Sequence, residues 1–166
     1  MTVCIAALCD KGNGCILASD QMTTAHFPIG YEFENDEVEK IVNIKDGTHV
    51  LVSGDVLFAN EVIRIAKQRV SIENIQATER IADVLREAYQ IVRRTRIARN
   101  ELEPRGMDLP GFLNMQQRLL SGLAQMIDQA FRTFNPNVEL ILAGKDESSC
   151  HIYSIRNPGD MSCHDP

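Results

Sequence analysis

The chain has 166 residues, 44% of them hydrophobic and 24% charged, with 17 Lys and Arg against 23 Asp and Glu for a formal net charge of −6. That balance can bury the core of one ordinary domain and excludes a disordered, collagen-like or low-complexity polypeptide. An acidic chain has no whole-molecule attraction to nucleic acid or anionic membrane, and no uncharged apolar run reaches the roughly 18 residues of a membrane span.

The apolar opening Thr2–Cys9 has no basic leader, is broken by Asp10 and Lys11 and is followed by no cleavage pattern, so it does not read as a signal peptide. Five cysteines (Cys4, Cys9, Cys15, Cys150, Cys163) form no CxxC pair. An odd number of unpaired cysteines suits free thiols in a reducing compartment, so a soluble cytoplasmic protein is expected. Cys4, Cys9 and Cys15 read as small core residues.

Thr2–Leu8 is nearly all apolar and β-prone, the pattern of a strand buried on both faces. Lys11-Gly-Asn-Gly14 is a hairpin signal, and Cys15–Ser19 returns as a second strand ending at Asp20. Residues 31–39 hold five acids and read as a solvated loop. Lys40–Ile44 and Thr48–Ser53 form a second hairpin about Lys45-Asp-Gly47, where glycine supplies the positive φ of a tight turn. After Gly54 the period changes to helical, with Ala59, Val62, Ile63, Ala66 and Val70 on one stripe behind Asp55 as N-cap.

A second helix is expected from Thr78 to about Asn100, with Ile81, Leu85, Ala88 and Val92 inward, ended by Pro104-Arg-Gly106. A third runs from about Leu109, capped by Asp108, to Phe134. Its inward residues are Phe112, Met115, Leu119, Leu123, Met126 and Ala130 or Phe131, and Asn135-Pro-Asn137 stops it. Strands Val138–Ala143 and Cys150–Ile155, joined by the polar turn Gly144–Ser148, complete the series. Four strands, three helices and two strands, in blocks, indicate an α+β layered fold in one domain over residues 1–166.

An ordered set of short motifs carries the chemistry. TVCIAAL at Thr2–Leu8, GCILASDQMTT at Gly14–Thr24, Lys40-Ile, VSGD at Val52–Asp55 and LILAGKDE at Leu140–Glu147 stand in sequence. Together they resemble a proteasome β-type subunit of the N-terminal-nucleophile (Ntn) hydrolase family. The resemblance implies a four-layer αββα sandwich and a threonine-type peptidase without cofactor or metal. It further implies a homo-oligomeric ring that cleaves peptide or unfolded-protein substrates, and an ATP-dependent unfoldase as partner. No GxxxxGK or GxGxxG occurs in this chain, so any ATP dependence belongs to that partner.

Physical chemistry supports the same group independently. A threonine hydroxyl is a poor nucleophile until a base takes its proton. With Met1 trimmed, as is usual before a small residue, Thr2 carries an α-amine with a reference pKa of about 7.7–8.0, near operating pH. A nearby ammonium favours the neutral amine and stabilises a developing oxyanion. The resemblance gives that role to Lys40, pairs Asp20 with it, makes the Gly54 N–H an oxyanion donor with room for a substrate carbonyl, and has the Thr24 backbone pair with an extended peptide. Taken singly, Thr2 is a chain start, Asp20 a turn former, Lys40 a solvated edge-strand residue and Gly54 a strand-to-helix turn; their order makes them a candidate site.

Cys150-His151 and Cys163-His164 resemble zinc ligands, but neighbours on a strand face opposite ways and do not chelate one ion. Arg93, Arg94, Arg96, Arg99 and Arg105 spread around a helix without interleaved aromatics, and read as a solvated or subunit-contacting face rather than a nucleic-acid site.

Three departures from the family pattern stand out. Met22 occupies a position where many such subunits carry Arg. Residues 97–125 are longer than the corresponding link and read as a helical insertion. The chain ends at Asp160–Pro166, where the family continues into segments supplying an assisting Ser and Asp, so a fragment incomplete at its C-terminus is expected. Two other readings share much of this sequence: an Ntn-type amidase on a small amide, and a catalytically silent ring subunit.

Overall fold

The computed structural model describes residues 2–21, 23–26, 32–35 and 39–165, and only the backbone of 23–26 and 32–35. Strands β1 (Cys4–Cys9) and β2 (Gly14–Ser19) pair antiparallel across a 3-10 turn at Asp10–Gly12. Strands β3 (Thr23–His26) and β4 (Glu32–Asn35) form a second two-stranded ladder. A five-stranded antiparallel sheet follows, in the order β5 (Ile41–Lys45), β6 (Thr48–Gly54), β7 (Val138–Lys145), β8 (Cys150–Arg156) and β9 (Asp160–Cys163). Between β6 and β7 lie helices α1 (Val56–Glu73), α2 (Thr78–Glu101), α3 (Leu109–Met115) and α4 (Ser121–Thr133).

The fold is therefore α+β, with elements in blocks because every sheet is antiparallel and needs no helical crossover. One face of the large sheet presents Val50, Val52, Val138, Leu140, Leu142, Tyr153 and Ile155 to α1 and α2, which answer with Phe58, Val62, Ile81, Leu85, Ala88 and Tyr89 in one apolar cluster. Phe58 and Tyr89 meet edge to face at 5.0 Å, and the buried Tyr89 hydroxyl donates to the Val138 carbonyl at 3.1 Å. Burial pushes the Tyr89 phenol up to about 12. The opposite face of the sheet carries the β1–β2 hairpin, chiefly over β7 and β8. Among the described residues this makes three layers: helices, five-stranded sheet, hairpin.

Several local expectations hold. Asp55 caps α1, its side chain accepting from the Phe58 N–H at 3.0 Å. Asp108 caps α3 in the same way, from Gly111 at 2.7 Å. The stripes expected on α1 and α2 are the buried ones.

Others are corrected. The expected third helix over 109–134 is two helices, because the chain turns at 116–120, where Arg118 and Leu119 both donate to the Met115 carbonyl and Leu120 is extended. The break rotates the second helix, so Ile127 is fully buried while Met115 and Met126 lie about half exposed. Glu32–Asn35, expected in a solvated loop, is strand β4, because its backbone pairs with β3. The first strand is not buried on both faces: Val3 and Ile5, with Ile16 of β2, are 46–60% exposed on the side away from the large sheet. Arg93, expected on a solvated face, is buried and donates to the Phe131 and Phe134 carbonyls and to Asn157 Oδ1. Arg96 lies over the Phe58 ring and pairs with Asp55 and Glu61. Both arginines tie α2 to neighbouring segments, and neither stands free in solvent.

Gly54 ends β6 with φ +101°, and a Cβ there would lie 1.7 Å from the Asn137 carbonyl oxygen. The backbone crossing to β7 by itself demands a glycine here. Gly54→Ala should therefore cost about 2–5 kcal/mol of unfolding free energy from left-handed strain and overpacking. Gly122→Ala, at a helical site with nothing within 4 Å of the added Cβ, should be neutral or stabilising by up to about 1 kcal/mol. Urea unfolding followed by circular dichroism separates the two, and equal effects would contradict the backbone argument.

Candidate active site

The hairpin brings the two ends of its strands together. With Cys4 opposite Ser19, the next pair outward is Val3 and Asp20: the Asp20 N–H donates to the Val3 carbonyl at 3.1 Å and the Val3 N–H to Asp20 Oδ1 at 3.0 Å. Thr2 and Asp20 thus emerge side by side. Lys40 approaches from the large sheet, fixed immediately before β5 by its carbonyl accepting from the Val52 N–H at 2.9 Å. Its side chain is 6% exposed and its Nζ donates to both Asp20 oxygens at 3.0 Å and to Thr2 Oγ1 at 3.5 Å.

These contacts set the electrostatics. A buried ammonium is tolerated because a carboxylate accepts from it with both oxygens, a charge-assisted and geometrically strict contact. The Val3 N–H foremost, then the Lys40 ammonium, hold the Asp20 carboxyl below the usual carboxylate range. Cys4 lies behind this pair with its Sγ 3.5 Å from the Val52 carbonyl oxygen. Burial raises its thiol pKa against the opposing pull of Lys40.

Chemically, Lys40 places positive charge beside the Thr2 hydroxyl. An ammonium that donates to Oγ can stabilise negative charge there but cannot itself take the hydroxyl proton.

Thr2, Asp20 and Lys40 form one contact group. Gly54 lies two residues beyond Val52, paired with Val138, at the end of the strand that also anchors Lys40. Thr24 pairs with Glu34 in the β3–β4 ladder. Met1 and Met22 lie outside the described residues. The Val3 N–H, which fixes Asp20, went unnoticed in the sequence; extending the hairpin register by one pair from a turn at 11–14 finds it.

Among the described residues no group of three His, Cys, Asp or Glu side chains is arranged to hold a metal ion. Cys150 is buried, while the side chain of its neighbour His151 is 20% exposed. No helix among the described residues is long and apolar enough to cross a membrane.

No protein-family model matches the chain, and none of the curated proteins matches it. Among solved structures, the fold is similar to that of a mutant Anbu from Hyphomicrobium sp. strain MC1, with a TM-score of 0.58 over 99% of this chain at 14% sequence identity. The chain spans 55% of the length of that structure. A likeness at this identity shows the fold alone. Membership of the proteasome β-type subunit or Ntn hydrolase family, expected from the ordered motifs, is thereby corrected: the motifs are short pieces without family-level similarity behind them.

The Asp20 contacts yield a pH test. A carboxyl whose pKa is lowered by folding adds stability that is present above its unfolded pKa of about 4 and is lost as pH falls through the folded value. Asp20→Asn should therefore unfold at lower urea than the wild type near neutral pH, and the gap should narrow steadily below about pH 4. A gap that stays constant into acid would contradict the ionic role of Asp20.

Proposed function

We propose that this chain is an amide hydrolase in which Thr2 Oγ is the nucleophile and the α-amine of Thr2, freed by removal of Met1, is the base. The observation that carries this reading is the Lys40 ammonium, held by both oxygens of Asp20 at 3.0 Å, with Thr2 Oγ1 3.5 Å away. The amine takes the hydroxyl proton as Oγ attacks the amide carbonyl, and Lys40 stabilises the negative charge that develops. Collapse of the tetrahedral intermediate transfers the proton to the leaving amine and leaves an ester on Thr2. Water, deprotonated by the same α-amine, then releases the acid.

In this reading the Gly54 N–H donates to the oxyanion and the β3 backbone at Thr24 pairs with an extended peptide, which makes peptide the substrate class. The architecture in this reading is a four-layer αββα sandwich; the α+β layering of the described residues and a fold shared with the Anbu structure at a TM-score of 0.58 support it. A ring of identical subunits, fed unfolded chains by an ATP-dependent partner, belongs to the same proposal. Light scattering tests the ring, which requires a large closed assembly.

Thr2→Ala should reduce hydrolysis of a fluorogenic peptide to background. Lys40→Ala should lower kcat by at least about 10²-fold, the usual scale for loss of an electrostatic stabiliser. Circular dichroism of each variant checks that the fold is retained. Thr2→Ala with wild-type turnover would overturn the assignment.

A further inference from the structure

A second constellation sits at the opposite end of β7 from Val138 and Leu140, where the turn into β8 meets the residues after β9. Asp165 Oδ2 lies 2.5 Å from His151 Nδ1, and Asp165 Oδ1 accepts from the Ile152 N–H at 3.1 Å, so both carboxylate oxygens are engaged. His151 Nε2 lies 3.1 Å from Ser148 Oγ, 3.2 Å from Ser149 Oγ and 3.4 Å from Asp146 Oδ1.

The two hydroxyls are not equivalent. Ser148 Oγ donates to Asp146 Oδ1 at 2.6 Å, which commits its proton to a carboxylate. The contact described for Ser149 Oγ is the imidazole. In the neutral tautomer that donates Nδ1–H to Asp165, Nε2 accepts from the Ser149 hydroxyl, the order of nucleophile, base and orienting acid that activates a serine; in the protonated ring Nε2–H faces Asp146 Oδ1 instead. The turn is held in place by Asp146, whose N–H donates to the Ser149 carbonyl and whose Oδ2 accepts from the Thr78 N–H at the start of α2. Beside it opens a cleft of about 940 Å³ lined by Lys45, Gln76, Lys145, Asp146 and Ser148.

We propose that Ser149 is an activated nucleophile, an acyl-acceptor site separate from Thr2 that reacts with activated esters such as aryl esters. Ser149 Oγ attacks the ester carbonyl and its proton passes to His151 Nε2. The bond to the aryloxide breaks, and the imidazolium returns the proton to the leaving group, giving O-acyl-Ser149 and a phenol. Water, deprotonated by the same imidazole, later releases the carboxylic acid. The chemistry is confined to good leaving groups, because the N–H groups of Ser148 and Ser149 are directed at Asp146 Oδ1, at 3.0 and 3.4 Å, rather than at a developing oxyanion.

The groups facing the imidazole are Asp146 of the turn, Asp165 from beyond β9 and the Tyr153 ring on its own strand, with Cys163 of β9 against Asp165 and Glu79 of α2 acting on Tyr153. The Asp165 hydrogen bond in particular holds the His151 pKa above its ordinary value.

Incubation of the wild type with p-nitrophenyl acetate, followed by tandem mass spectrometry of its peptides, tests the site apart from Thr2. Acetyl on Ser149 is expected, accumulating faster as pH rises through the imidazole pKa. His151→Gln and Asp165→Asn should each slow it by about 10²-fold or more, whereas Ser148→Ala should retain it. Acetyl on Ser148 alone, no adduct on this turn in the folded wild type, or a rate unmoved by either substitution would overturn the proposal. Should His151→Gln fail to fold, Asp165→Asn and the wild-type pH profile decide, and a flat profile from pH 5 to 9 counts against it.

Discussion

The ion pair between Lys40 and Asp20 is the contact on which the candidate site depends. An ammonium that is 6% exposed is expensive to remove from water unless an anion meets it with good geometry. Asp20 does so with both oxygens, and is itself held by the Val3 N–H. Three separate pieces of chain converge through this pair: the start of the hairpin, its end, and the entry to the large sheet. Because Lys40 is also tied by its backbone to Val52, the hairpin cannot slide along the sheet without breaking the pair. Thr2 inherits its position from that constraint, with its hydroxyl beside a fixed positive charge.

How much of this was legible in the sequence depended on how local the cause was. Asp55, the Lys45-Asp-Gly47 turn and the stripe from Ile81 to Val92 act within a few residues, and the corresponding elements formed where expected. The break at 116–120 has no proline or glycine to announce it, so an amphipathic pattern ran through it and put Met115 and Met126 on the wrong side. The reason for Gly54 lies at Asn137, far along the chain, and no local pattern carries that approach. Arg93 likewise finds its acceptors at Phe131, Phe134 and Asn157, which turns an apparent surface residue into an internal tie.

For the site itself, residue types and order named Thr2, Asp20 and Lys40, while register and burial explain how they meet. Short motifs did not amount to family membership, and a fold shared at 14% identity fits that outcome. Hairpin register and the inward face of a sheet constrain where apolar residues fall more than which ones they are. The second constellation, Ser149 with His151 and Asp165, was invisible for a related reason. Asp165 reaches His151 only because β9 runs back along β8, and alternation along a strand argued against a shared ligand role without revealing a hydrogen-bonded relay.

In the proposed reaction the base for Thr2 is its own α-amine, which exists only on a chain whose first residue is Thr2. Intact-mass and N-terminal peptide analysis of the mature, active protein measures this directly. An α-amine base requires a polypeptide beginning at Thr2 with an unmodified amine. An active protein that retains Met1, or carries an acylated Thr2 nitrogen, would contradict it whatever the position of Lys40.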